Sequence, residues 1–103
     1  MTKFGLPDDT IKKINSVFAK YPHVEKVIIY GSRAMGNYKN GSDIDITLLG
    51  DHLTNEDRTN IFFDLEDLPI PYLFDLSIFS HLDNENLKEH IIRVGKVFYH
   101  NLG

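Results

Sequence analysis

The chain contains no cysteine, which excludes a disulfide framework and any thiolate metal site. It also lacks a basic excess: 11 Lys and Arg against 15 Asp and Glu give a formal net charge of −4. Proteins that grip nucleic acid carry a basic face that releases counterions from the phosphates, so no stable nucleic-acid binding is expected. No apolar run approaches the roughly 20 residues of a membrane-spanning helix. The opening residues Met1 to Asp9 lack the apolar core of a signal peptide. A cytoplasmic location away from any membrane is therefore the expectation. Internal repeats, low-complexity tracts and long linkers are also missing. What remains is a chain of 103 residues, 42% hydrophobic and 25% charged, the composition of an ordinary globular protein. It is read as a single domain, 1–103, whose core needs no disulfide or structural metal.

Hydrophobic spacing divides the chain into alternating helices and strands. Pro7, Asp8 and Asp9 suit a helix start. Ile11, Ile14, Val17, Phe18 and Tyr21 then recur at helical spacing until Pro22. Val24 to Tyr30 is rich in β-branched residues and reads as a buried strand closed by Gly31. Ser32 to Met35 has room for one or two helical turns, and Gly36 to Gly41 is a turn-rich loop. Asp43 to Leu49 is a second strand. Thr54 and Asp57 have capping-box spacing at the head of a helix over Thr54–Leu68. Tyr72 to Phe79 makes a third strand, Asn84 to Val94 a helix that Gly95 ends, and Val97 to Tyr99 a short last strand. The class is α/β or α+β: a small sheet flanked by helices.

Two segments carry the chemistry. Gly31 and Ser32 follow a strand and open a short helix, where free backbone N–H groups make a seat for phosphate. A serine there also serves as a plain N-cap, so the pair alone is weak. It is neither a Walker A loop nor a dinucleotide fingerprint, since the required glycine and lysine spacing is missing. The second segment, Ser42-Asp43-Ile44-Asp45-Ile46-Thr47-Leu48, is stronger. Strand alternation sends Ile44, Ile46 and Leu48 to a core and Asp43 and Asp45 to the other face, with backbones about 6.6 Å apart. Such charges repel unless a cation joins them, although an edge strand can also carry charge against aggregation. In Tyr72 to Phe79, Asp75 alone interrupts an apolar strand. A buried carboxylate there needs a partner or a metal. A βαβ crossover through Thr54–Leu68 makes the second and third strands parallel, and if they are also neighbours Asp75 can lie beside Asp43 and Asp45. Three converging carboxylates suit Mg2+ or Mn2+; the alternative is an ion pair of Asp75 with Arg33, Arg58 or Arg93.

Gly31-Ser32, ten intervening residues, then Asp43-Ile44-Asp45 resembles the signature of the DNA polymerase β-like nucleotidyltransferases. The fuller string Gly31 to Gly36 with Ser42 to Ile46 is similar to their minimal nucleotidyltransferase (MNT) branch, and the likeness runs over nearly the whole chain. It implies a small mixed sheet. Gly31 and Ser32 would hold the triphosphate of ATP or another nucleoside triphosphate, and Arg33 would add charge neutralisation. Asp43 and Asp45 would match the metal-binding pair and Asp75 the third carboxylate, with Mg2+ or Mn2+ as cofactor. The usual partner of MNT proteins is a HEPN-domain protein, and in some toxin–antitoxin pairs the MNT antitoxin adenylylates a tyrosine of the HEPN ribonuclease. One departure stands out: larger members carry a further helical domain that this chain has no residues to build.

The implied reaction is attack of an acceptor hydroxyl on the α-phosphorus, with pyrophosphate leaving and two cations about 3.5–4 Å apart assisting. The second reading, of another class, is a non-catalytic binding module that neutralises a HEPN partner by contact. A fragment of a larger polymerase-like enzyme is disfavoured by the full set of elements. A domain this small is expected to bury apolar surface against another protein or as a homodimer. The five histidines are scattered without a His-Glu-x-x-His pair, which argues against a zinc hydrolase. Tyr38 reads as an exposed loop residue, Phe62, Phe63, Phe74 and Phe79 as core, and Lys12 and Lys13 as a solvated helix face.

Overall fold

The structure is a computed structural model and describes residues 2–102; Met1 and Gly103, the ends of the expected domain, lie outside the described residues. A short hairpin, β1 (Thr2–Lys3) and β2 (Leu6–Pro7), leads into helix α1 (Asp8–Phe18). Then follow strand β3 (Lys26–Tyr30), the short helix α2 (Gly31–Met35) and strand β4 (Ile44–Leu49). Helix α3 (Asn55–Glu66), strand β5 (Phe74–Ile78), a 3-10 turn (Phe79–His81), helix α4 (Glu85–Val94) and strand β6 (Lys96–His100) complete the chain.

The hairpin was not foreseen in the sequence. Its two loop residues, Phe4 (φ 57°) and Gly5 (φ 73°), both take positive φ, the turn geometry that matches strand twist. Phe4 can hold that conformation because its ring stacks on Phe98, centroids 5.9 Å apart. Helix α1 also ends earlier than its apolar spacing suggests. Lys20 N–H donates to the Val17 carbonyl and Tyr21 N–H to that of Phe18. These tighter turns close the helix before Tyr21, the residue that precedes Pro22 and is biased away from helix.

The main sheet has the order β5-β4-β3-β6. β3 pairs antiparallel with β4 and β6, while β4 and β5 run parallel, so the sheet is mixed. The parallel pair follows from α3 crossing between its strands, as the spacing predicts. The capping box at the head of α3 forms: the Thr54 hydroxyl accepts from Asp57 N–H and the Asp57 carboxylate from Thr54 N–H.

One sheet face, carrying Val27, Ile29, Ile44, Ile46, Leu48, Leu76 and Ile78, is buried with Ile14, Phe18, Ile61 and Leu65 of α1 and α3. Helix α4 lies on the opposite face, where Ile91 and Ile92 meet Ile28, Leu49 and Phe79. Gly95 lets the chain leave α4 tightly against the sheet: an added Cβ would sit 2.3 Å from the Ile91 carbonyl oxygen in the last turn of α4 and 2.6 Å from Ile28 Cγ2 on β3. Its φ is −65°, so close approach rather than a left-handed turn is what requires glycine here. Of the four phenylalanines read as core, Phe74 is buried and Phe62 packs against the core, but Phe63 is 60% exposed.

Candidate active site

Strand alternation and register bring the acids together. Ile44, Ile46 and Leu48 point into the core with no exposed surface, which turns Asp45 to the other face of β4. β5 repeats the pattern, with Phe74, Leu76 and Ile78 buried and Asp75 exposed between them. Asp45 and Asp75 are direct partners in the parallel register. Asp43 lies one residue before β4, exposed and outside the ladder, instead of inside the strand as its spacing suggests.

Asp75 needs correction in one respect: the strand is not buried on both faces. β5 is an edge strand and α4 covers only part of the face on which Asp75 stands, so its carboxylate reaches solvent. The ion-pair alternative is not realised. Arg93 pairs with Glu89 at 3.3 Å, and among the described residues no ion pair joins Asp75 to Arg33 or Arg58. Nor are the three acids closed on one point: no group of three or more His, Asp or Glu among the described residues is set to hold a metal ion. Like charges on neighbouring strands repel. The repulsion is visible at Asp45, whose carboxyl is pushed above its ordinary value of 3.8 by burial, then by Asp75 and Asp43, against weaker pulls from Arg33 and His90.

Gly31 and Ser32 stand beside this cluster. Tyr30 pairs with Asp45 in the antiparallel register, so the chain enters α2 next to that carboxylate. Gly31 takes φ 71°, and a Cβ on it would lie 2.5 Å from Asp45 Oδ2. The cap of α2 is Tyr30, with no side-chain cap hydrogen bond; Ser32 sits inside the helix, so the plain N-cap reading does not apply. The donor set fits a hard divalent cation: unpaired carboxylates, that of Asp45 raised by burial and then by its acidic neighbours, with a glycine leaving space beside it.

Arg33 is buried rather than open to a ligand as a phosphate-neutralising side chain would be. It is 3% exposed, though its charge pulls weakly on Asp45. Nε and Nη2 donate to the Ser42 carbonyl at 3.1 and 2.8 Å, and Nη1 donates to the Phe4 carbonyl at 3.0 Å. Tyr38 and Tyr72 lie 5.3 and 5.1 Å from the guanidinium. Tyr38 is thus a packing partner in its loop.

Sequence reasoning missed two residues at the site, Tyr30 and His90. The Tyr30 phenol is pushed up to about 12, first by burial, then by Asp75 and Asp45, with a hydrogen bond to Ser77 opposing. The His90 ring meets the Tyr30 ring edge-on at 6.2 Å. Its signal was present: His90 is three residues after Leu87 and four before Val94, on the inward stripe of α4. A separate apolar cleft of about 270 Å3, lined by Ile28, Leu49, Phe79, Ile91, Ile92 and Gly95, lies beside α4 and includes none of the acids.

The sequence model of the family described as "Polymerase beta, Nucleotidyltransferase" matches residues 12–101. No curated protein matches by sequence. Several solved structures share the fold. A toxin–antitoxin complex with AMP-PNP has 22% identity and a TM-score of 0.71, over 94% of this chain and 76% of that one. An MNT antitoxin bound to a tri-AMPylated HEPN toxin of Shewanella oneidensis has 20% identity and a TM-score of 0.65, over 89% and 71%. A MntA–HepT complex has 20% identity and a TM-score of 0.68, over 92% and 74%. Family match, mixed sheet and acid register agree, and the chain belongs to the polymerase β nucleotidyltransferase family.

Proposed function

We propose that the chain, acting as one domain, moves AMP from ATP to a tyrosine hydroxyl of a HEPN-type toxin and so serves as the antitoxin of the pair. The observation that carries this reading is the in-register Asp45–Asp75 pair, with Asp43 beside it and Gly31 against Asp45. The AMP-PNP complex and the tri-AMPylated HEPN toxin among similar structures support the choice of nucleotide and acceptor.

In this reading Gly31 and Ser32 orient the β- and γ-phosphates through the backbone at the head of α2. Asp43, Asp45 and Asp75 would hold Mg2+ or Mn2+, which when bound neutralises phosphate charge. The tyrosine oxygen bonds to the α-phosphorus as the bond from that phosphorus to the bridging oxygen of the β-phosphate breaks. Pyrophosphate leaves, and the phenol proton passes to Asp75. Phe63, Leu73, Ile92 and Val97 are exposed and offer apolar surface to the toxin or to a second copy.

The test follows label from ATP carrying radioactive α-phosphate, with a HEPN-type toxin as acceptor. Transfer that needs Mg2+ or Mn2+ and falls by orders of magnitude in Asp43→Asn or Asp45→Asn is the expected result. Full neutralisation of the toxin by the double variant would instead establish the non-catalytic binding module.

A further inference from the structure

Among the described residues Arg33 is the one buried cation, at 3% exposure, and no ion pair there includes it. A buried charge left unbalanced is costly. Here three hydrogen bonds to carbonyl oxygens and two aromatic faces balance it, through charge-assisted bonding and cation–π attraction. The partners come from separate segments. Phe4 belongs to the N-terminal hairpin, Tyr38 and Ser42 to the loop after α2, and Tyr72 to the approach to β5. The guanidinium therefore ties three segments at one point.

That point adjoins the acids. Two of the three hydrogen bonds converge on the carbonyl of Ser42, the residue before Asp43. Asp45 is fixed by pairing with both Tyr30 and Asp75, but Asp43 stands outside the ladder, which resumes with Ile44 N–H donating to the Leu73 carbonyl at 2.9 Å. Tyr38 packs this loop against Gly5 of the hairpin, but the other hydrogen bonds at Lys39 and Ser42 are local: Ser42 N–H to the Lys39 carbonyl at 3.0 Å, and Lys39 N–H to Ser42 Oγ at 2.9 Å.

We propose that Arg33 is the positioning residue of Asp43, holding the Ser42 carbonyl so that this aspartate stays in register with the strand-borne acids. The role of Asp43 as a cation ligand rests on the function proposed above; the tether itself does not. Lysine cannot replace the fork, because a single ammonium does not reproduce two parallel N–H bonds plus a third to Phe4.

The experiment compares the full chain with Arg33→Lys, well below the melting temperature of both. Amide hydrogen exchange without metal reads the tether. Exchange at Lys39 and Ser42 should rise at least about tenfold, while Val27 and Ile46 in the central strands keep their protection. Mn2+ binding in the presence of a non-hydrolysable ATP analogue, read by electron paramagnetic resonance, should weaken by a similar factor. In Arg33→Ala, millimolar methylguanidinium should restore Mn2+ binding toward the parent value, which a general loss of stability would not permit. Unchanged exchange at Lys39 and Ser42 in Arg33→Lys overturns the proposal whatever the enzyme does. Loosened exchange together with unchanged Mn2+ binding in both Arg33→Lys and Asp43→Asn leaves the tether standing and overturns Asp43 as a ligand.

Discussion

Gly31 and Asp45 stand so close that a Cβ on the glycine would lie 2.5 Å from the Oδ2 of the aspartate. The glycine is also held at φ 71°, a conformation that costs an L side chain about 1–2 kcal/mol. Gly31→Ala should therefore fold, because the carboxylate is the free end of a side chain and can swing aside. Displacing it by about an ångström should lower nucleotide transfer roughly a hundredfold. Thermal melts beside a transfer assay check this, and transfer at the parent rate would refute the close fit.

Asp45 gives a pH dependence of definite sign. Its folded pKa is raised above 3.8 by burial, then by Asp75 and Asp43. A raised carboxyl stabilises the fold below the unfolded value and loses that contribution as pH rises through the folded one. Metal-free Asp45→Asn should thus melt above the parent at neutral pH, with the gap closing under acid conditions below 3.8. Scans in chelator across that window are the measurement.

Tyr21 and Asp64 predict the opposite slope. The Asp64 carboxyl is held low by the Tyr21 hydroxyl and then by Lys20, which approaches to 3.1 Å. A depressed carboxyl stabilises above its unfolded pKa and loses the effect as pH falls through the folded value. Tyr21→Phe should cost about 1 kcal/mol at neutral pH, for one hydrogen bond to a partly solvated charge. The difference should shrink in acid, as urea titrations at several pH values would show.

Gly95→Ala meets backbone as well as side chain. The added Cβ would lie 2.3 Å from the Ile91 carbonyl oxygen and 2.6 Å from Ile28 Cγ2. The last turn of α4 and the Ile28 side chain would both have to shift, and overpacking of this kind costs about 1–3 kcal/mol. Denaturant unfolding gives the number directly; a neutral result would mean that α4 yields easily.

The acids were legible because alternation in Asp43 to Leu48 assigns each side chain a face before any coordinates exist. The capped helix between β4 and β5 likewise predicts parallel pairing, and with it the meeting of Asp45 and Asp75. Asp75 was found by a partly mistaken argument: an apolar neighbourhood in sequence was read as burial, although α4 leaves its face open. The buried anchoring of Arg33, read only as a neutraliser of phosphate charge, could not be foreseen, since its partners are carbonyls of Phe4 and Ser42, groups that every residue possesses. The hairpin supplying one of them escaped notice because its turn puts phenylalanine, not glycine, at the first positive φ.

The edge position of β5 gives the proposed reaction centre the form of a ledge, with no further strand paired beyond Asp75 among the described residues. A ledge sets no upper limit on acceptor size, so a whole folded protein can bring a hydroxyl to it. By the same geometry, water and small alcohols arrive as freely as the intended acceptor. Under the proposed function, discrimination would come from the body that docks along the flank, and productive transfer over wasteful hydrolysis would depend on how completely that body shuts out solvent.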